Sequence, residues 1–186
     1  MNREVADYLK DFLTPLWWAD KVGGMVITAR SGLKAFPVEF NANPQDCETQ
    51  FHDYVPDESK KSIMYFEDRG FRVEGMNSRY FNAVTSLRIV CWLNYKALDE
   101  TTYQQDGFVL DVLNSLPTHF TDGNIIAATV SVESVTENDI FTNYSYIVDK
   151  LFTFYPYGAF AIDIEVKYRI GKDCEFTTEG NPNDCL

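Results

Sequence analysis

The run Phe160-Ala161-Ile162-Asp163-Ile164-Glu165-Val166-Lys167-Tyr168-Arg169-Ile170 constrains this chain more than any other segment. Phe160, Ile162, Ile164, Val166, Tyr168 and Ile170 fall on one side of an extended backbone. Ala161, Asp163, Glu165, Lys167 and Arg169 fall on the other. Strict alternation predicts a strand with one buried and one wet face. The wet face carries both signs of charge. Such a surface avoids random sticking or meets a complementary copy of itself.

Other segments supply the partners that such a strand needs. Val5, Tyr8, Leu9, Phe12, Leu13 and Leu16 recur at helical spacing, and Pro15 predicts an end near Leu13 or a restart in a new first turn. Trp17 and Trp18 follow, then Gly23-Gly24, read as closing that unit. Adjacent tryptophans point in different directions, so at most one fits the same core stripe comfortably; the other is a candidate contact for a neighbouring subunit, or both cover the domain's own sheet. Met25 to Thr28 and Ala35 to Phe40 read as a hairpin around Ser31-Gly32, and Asn41 to Lys61 as a long loop. Ser62 to Glu67 and Gly70 to Glu74 read as two strands turning at Asp68-Arg69, with a further bend at Asn77-Ser78.

Leu87 to Tyr95 reads as a central strand with Leu87, Ile89, Cys91 and Leu93 on one face. A helix from Asp106 to Leu116 stops at Pro117, and Ile126, Ala128, Val130 and Val132 mark another strand. Asn138 or Asp139 is expected to cap a helix carrying Phe141, Tyr144, Ile147, Val148, Leu151 and Phe152. This order predicts an α+β fold, a mainly antiparallel sheet with helices packed on one face. Residues 1–170 form one domain in this reading, and 171–186 a polar tail.

With 186 residues, 45% of them hydrophobic, the chain is long enough for a substantial core. A formal charge of -12 opposes a grip on nucleic acid, which needs clustered Lys and Arg. It suits a wall past which DNA slides without sticking. No window approaches the roughly 20 apolar residues of a membrane helix, and the N-terminus lacks signal-peptide character. The expectation is a soluble chain made in the cytoplasm.

Cys47, Cys91, Cys174 and Cys185 form no CxxC pair, so no zinc site is expected; reduced thiols are the default, with a Cys174–Cys185 bridge after release into an oxidising setting as the alternative. Cys91 reads as a small core residue. His52 and His119 read as surface histidines, and Asp53, Asp57 and Glu58 as solvated loop charge. Asn143-Tyr144-Ser145 fits the glycosylation pattern, with nothing to suggest secretion. Asp163, Glu165 and Lys167 match the set by which metal-dependent nucleases hold Mg²⁺ and orient water. The set also wants a separate upstream acid on a neighbouring strand, which the sequence does not single out, so this stands as the lesser alternative. A second alternative is a protein-binding module that forms no ring. No cofactor or metal is expected.

Three elements together resemble the closing half of tailed-phage tail-terminator proteins: the helix at Asp139 to Phe152, the break Tyr155-Pro156-Tyr157-Gly158, and the strand at Phe160 to Ile170. Length and composition also resemble a neck-ring protein of crAss-like phages. The resemblance covers about the last half of the chain and carries no catalytic residue. It implies a non-enzymatic virion protein of the neck or tail, assembled in the host cytoplasm. It further implies a homo-oligomeric ring around the DNA channel, stacked on other neck or tail proteins. Trp17, Trp18, Asp163, Glu165, Lys167 and Arg169 are then the expected interface. DNA would pass through the lumen without specific binding, and no membrane would be involved.

Overall fold

The computed structural model describes residues 2–32, 34–42, 49–77, 79–98, 104–123, 125–141, 143–144 and 155–171. The elements in chain order are α1 (Asn2–Leu13), β1 (Lys21–Ser31), β2 (Lys34–Ala42), β3 (Thr49–Asp53), β4 (Ser62–Met76), β5 (Tyr80–Asn94), α2 (Gln105–Ser115), β6 (His119–Asp122), β7 (Ile125–Thr136) and β8 (Tyr157–Gly171). Among the described residues eight strands form one sheet in the order β3-β2-β1-β4-β5-β8-β7-β6. Every pairing is antiparallel except β1 with β4. The fold is α+β, as its order of elements predicts.

The alternation in β8 places it between β5 and β7, with Phe160, Ile162, Ile164, Val166, Tyr168 and Ile170 all buried. Leu87, Ile89, Cys91 and Leu93 of β5 lie on the same side, under Val5, Leu9 and Leu13 of α1 and Phe108 and Val112 of α2. Both helices therefore cover one face. Leu110 of α2 points outward, and Phe108 fills the core instead. Leu116 is extended at φ -69, ψ 132, the conformation favoured before proline, and α2 ends there.

The opposite face has two halves. Near the ends of β4 and β5 that meet the start of β8, Ile63, Tyr65, Val90, Trp92, Ala159 and Ala161 form a second apolar cluster. Tyr54, Ile140, Phe141 and Tyr144 cover it. Ala161, expected on the wet side, is therefore buried, because a small side chain fits under this cover. Farther along, the same face carries the charges.

Four further expectations are corrected. Asp68-Arg69 is no turn: β4 runs through it with a bulge between Asp68 and Gly70. Gly70 adopts φ +134 there, which side-chain-bearing residues avoid. The long connection from Asn41 holds β3, which pairs with β2 at the sheet margin. No helix begins at Asp139. That residue has φ 57, and Phe141 and Tyr144 form a turn in which the Tyr144 amide donates to the Phe141 carbonyl at 2.9 Å. The rest of that predicted helix lies outside the described residues, as do the tail beyond Gly171 and Cys47, Cys174 and Cys185.

Gly23 and Gly24 lie inside β1, at the irregularity of its pairing with β4, and close no unit. A Cβ on Gly23 would fall 2.7 Å from the Tyr54 hydroxyl and closer still to the ring. Tyr54 is buried and its hydroxyl is held by Glu39, so the ring has little freedom to retreat. Gly23→Ala is expected to cost about 1–3 kcal/mol from overpacking. Chemical denaturation measures this, and an unchanged midpoint would refute the close approach.

Candidate functional site

The charged half of the sheet is built row by row from strand register. Glu67, Arg88, Asp163 and Ser134 share one row across β4, β5, β8 and β7. Glu165 and Ser131 share the next row on that face, then Arg72, Lys167 and Thr129, then Asn82 and Arg169. Period two brings all of these to one side.

The charges pair within the chain. Arg88 grips Asp163 with two parallel bonds of 2.7 and 2.8 Å, and Ser134 Oγ donates to the same carboxylate at 2.9 Å. Arg72 donates to Glu165 at 2.8 Å, and Lys167 lies 3.3 Å from the other oxygen of Glu165. Arg69 and the Tyr144 hydroxyl donate to Glu67 at 2.9 and 2.6 Å. Arg169 donates to Asn82 and lies over the Tyr80 ring, 4.3 Å from its centroid. The Arg88 guanidinium holds the Asp163 carboxyl below the usual carboxylate range, and Arg72 does the same for Glu165.

These distances sort the expected interface residues. The side chains of Asp163 and Glu165 are only 24% and 16% exposed, whereas Lys167 is 57% exposed. The carboxylates are spent on internal partners, and the outer end of the strand presents its cations. An open hollow of about 370 Å³ lies there, bordered by Glu74, Asn82, Thr129, Lys167 and Arg169. As a metal cage the set is poorly disposed, since a bound guanidinium must leave before either carboxylate can turn to a cation. Among the described residues no three His, Cys, Asp or Glu side chains converge as metal ligands.

The tryptophans separate as their adjacency requires. Past Leu13 the chain turns tightly, with the Leu16 amide on the Leu13 carbonyl at 3.2 Å and Ala19 on Leu16 at 2.9 Å. Trp18 turns inward and is fully buried. Its ring stands edge-on to Phe108 at 5.2 Å, and its Nε1–H donates to Asp111 at 3.0 Å. It is a core residue and presents nothing to a neighbour. Trp17 is 54% exposed, its ring 6.4 Å from the same Phe108.

His52 and His119 are exposed, on β3 and β6 at opposite margins of the sheet. Asp53, Asp57 and Glu58 are exposed too; Asp57 accepts from the Ser59 amide at 2.9 Å as a local turn. Cys91 is buried, and burial pushes its thiol up. No described helix is long and apolar enough to cross a membrane.

One polar cluster has no signal in the sequence. Glu39 on β2 accepts from the Tyr54 hydroxyl at 2.5 Å and the Gly24 amide at 3.2 Å, with Lys10 of α1 at 3.8 Å. Burial raises the Tyr54 phenol, helped by its bond to Glu39. Burial and then the Glu39 charge raise the carboxyl of Asp7. The cluster ties α1 to the first hairpin. Its members are scattered in sequence and share no motif, so only the fold reveals them.

No protein-family model matches this chain, and no curated protein matches it.

Proposed function

We propose that this chain is a non-catalytic structural protein that assembles with copies of itself into a ring around the DNA channel of a phage neck or tail. The observation that carries the reading is Trp17, a large aromatic half out of the surface beside a fully packed twin. Its neighbour Trp18 is anchored to Asp111 and Phe108, so the segment that presents Trp17 is rigid. A preordered aromatic with about half of its surface open to solvent is the kind of residue that concentrates binding energy at subunit contacts. The formal charge of -12 supports a lumen that repels phosphate. Asp163 and Glu165 are largely covered, whereas Trp17, Lys167 and Arg169 are exposed, and the contact role falls to these three.

Light scattering after size exclusion tests this reading, together with negative-stain imaging of the purified protein. A closed oligomer is expected. Trp17→Ala should weaken it about tenfold or more while leaving the melting temperature within a few degrees. A protein that stays monomeric at high concentration overturns the proposal.

A further inference from the structure

Among the described residues the sheet has two uncovered stretches of edge inside its strand order. β4 pairs with β1 only from Ile63 to Glu67, so among the described residues no strand covers β4 from Gly70 to Met76. β6 reaches β7 only from Ile125 to Thr129, and the Val130 amide bonds to the Thr118 carbonyl. From Ser131 to Thr136 the outer edge of β7 likewise has no strand beside it among the described residues. An uncovered edge offers a row of backbone donors and acceptors to another chain.

The two edges fit each other. Phe71, Val73 and Met76 on β4, and Val132 and Val135 on β7, lie in rows whose central members are helix-side core residues. All five are between 44% and 74% exposed. Residues 68–79 carry Arg69, Arg72 and Arg79 against Asp68 and Glu74, with Arg69 and Arg72 also bonded to Glu67 and Glu165, while residues 131–137 carry Glu133 and Glu137 with no Lys or Arg. The three antiparallel pairings β4–β5, β5–β8 and β8–β7 make β4 and β7 antiparallel to one another. Two copies in the same orientation therefore present β7 to β4 with the correct polarity, helix sides together. Self-pairing of β7 would instead oppose glutamates.

The geometry points to a head-to-tail contact in which residues 131–136 of one copy add as a strand to residues 70–76 of the next. Such a contact uses different surfaces on the two copies and repeats until it closes. The open segments sit at opposite ends of the strands, since Gly70 and Ser131 share a row and β4 runs on from there to Met76. Neighbours are thus staggered by about half a strand, on the order of 20 Å, and the strands tilt to the ring axis as in a closed barrel. Bulges at Val73/Gly75 and Val132/Ser134 keep the pairing short and hold it to one register. The inference rests on the ring reading and adds a strand pairing to the contact made by Trp17, Lys167 and Arg169.

Two variants test it, one per edge: Val73→Lys on β4 and Val135→Lys on β7, with Met76→Lys and Val132→Lys as substitutes should either misfold by circular dichroism. Each variant alone should be monomeric where the wild type is a closed oligomer. An equimolar mixture should form a one-to-one heterodimer and nothing larger, because one sound β7 edge then meets one sound β4 edge. If either variant alone keeps the wild-type oligomer, the edge contact is overturned while the ring stands. If one variant alone forms a dimer, the contact is isologous and the head-to-tail arrangement is overturned. A monomeric wild type overturns both.

Discussion

Trp18→Ala is expected to lower stability by about 3–5 kcal/mol, the usual loss for a large aromatic removed from a packed core. The side chain is fully buried, edge-on to Phe108 and bonded to Asp111 on α2, so its removal empties the seam between the two helices. Denaturant titration at neutral pH measures the loss. Trp17→Ala should change stability by less than about 1 kcal/mol, since half of that ring is already in water. Trp18→Phe separates the contributions: it keeps an aromatic in the seam but removes the donor to Asp111, at about 1–2 kcal/mol. Equal effects at positions 17 and 18 would contradict the burial assigned to them.

Arg88→Ala carries the second large effect. It leaves Asp163 without the fork that holds both carboxylate oxygens in a mostly covered row. After allowance for residual solvent screening, the loss is about 2–3 kcal/mol at pH 7. Its pH dependence follows from the direction of the Asp163 shift. A carboxyl whose folded pKa is depressed contributes stability that is full above its unfolded value of about 3.9. The contribution disappears as pH falls through the folded value. The gap between wild type and Arg88→Ala should therefore be constant from pH 7 to about pH 5 and close below about pH 4. Asp7 acts in the opposite sense, because its raised carboxyl is better tolerated when protonated. It offsets part of the acid loss in both proteins and cancels in their difference. A gap that widens in acid would contradict the Arg88–Asp163 assignment.

The elements legible in the sequence are those where one physical pattern dominates. Alternation marks β8, and the apolar face of Leu87, Ile89, Cys91 and Leu93 marks the middle of β5 as core. Helical spacing with Pro117 beyond the end marks α2. Legibility fails where local chemistry and tertiary pairing disagree. Asp68-Arg69-Gly70 has turn composition, yet β5 pairs on both sides of it and draws the backbone through as a bulge. Gly23-Gly24 looks like a break, but the space freed by the missing side chains is filled by Tyr54 and by Asp7 with Glu39. Phe141 and Tyr144 have helical spacing, and both are consumed in covering Tyr65 and its neighbours from a turn.

At the candidate site, the charged face of β8 could be read directly, whereas the state of its charges could not. Arg72 and Arg88 neutralise Glu165 and Asp163 only because β4, β5 and β8 align in one register, and no spacing along the chain announces it. The two open edges were hidden for the same reason. An edge is defined by where a neighbour stops, which is a property of the sheet as a whole.

The place of β8 between β5 and β7 has a consequence for biosynthesis. Until the ribosome has released residues 157–171, β5 lacks one neighbour and β7 has only the short β6 beside it. The nascent polypeptide must carry β5, and later β7, with an unfilled side until β8 is made, so the sheet closes only when β8 is threaded between them. Truncation before Tyr157 therefore removes far more than a terminal strand: it removes the one element through which β5 and β7 are hydrogen-bonded into a single sheet among the described residues.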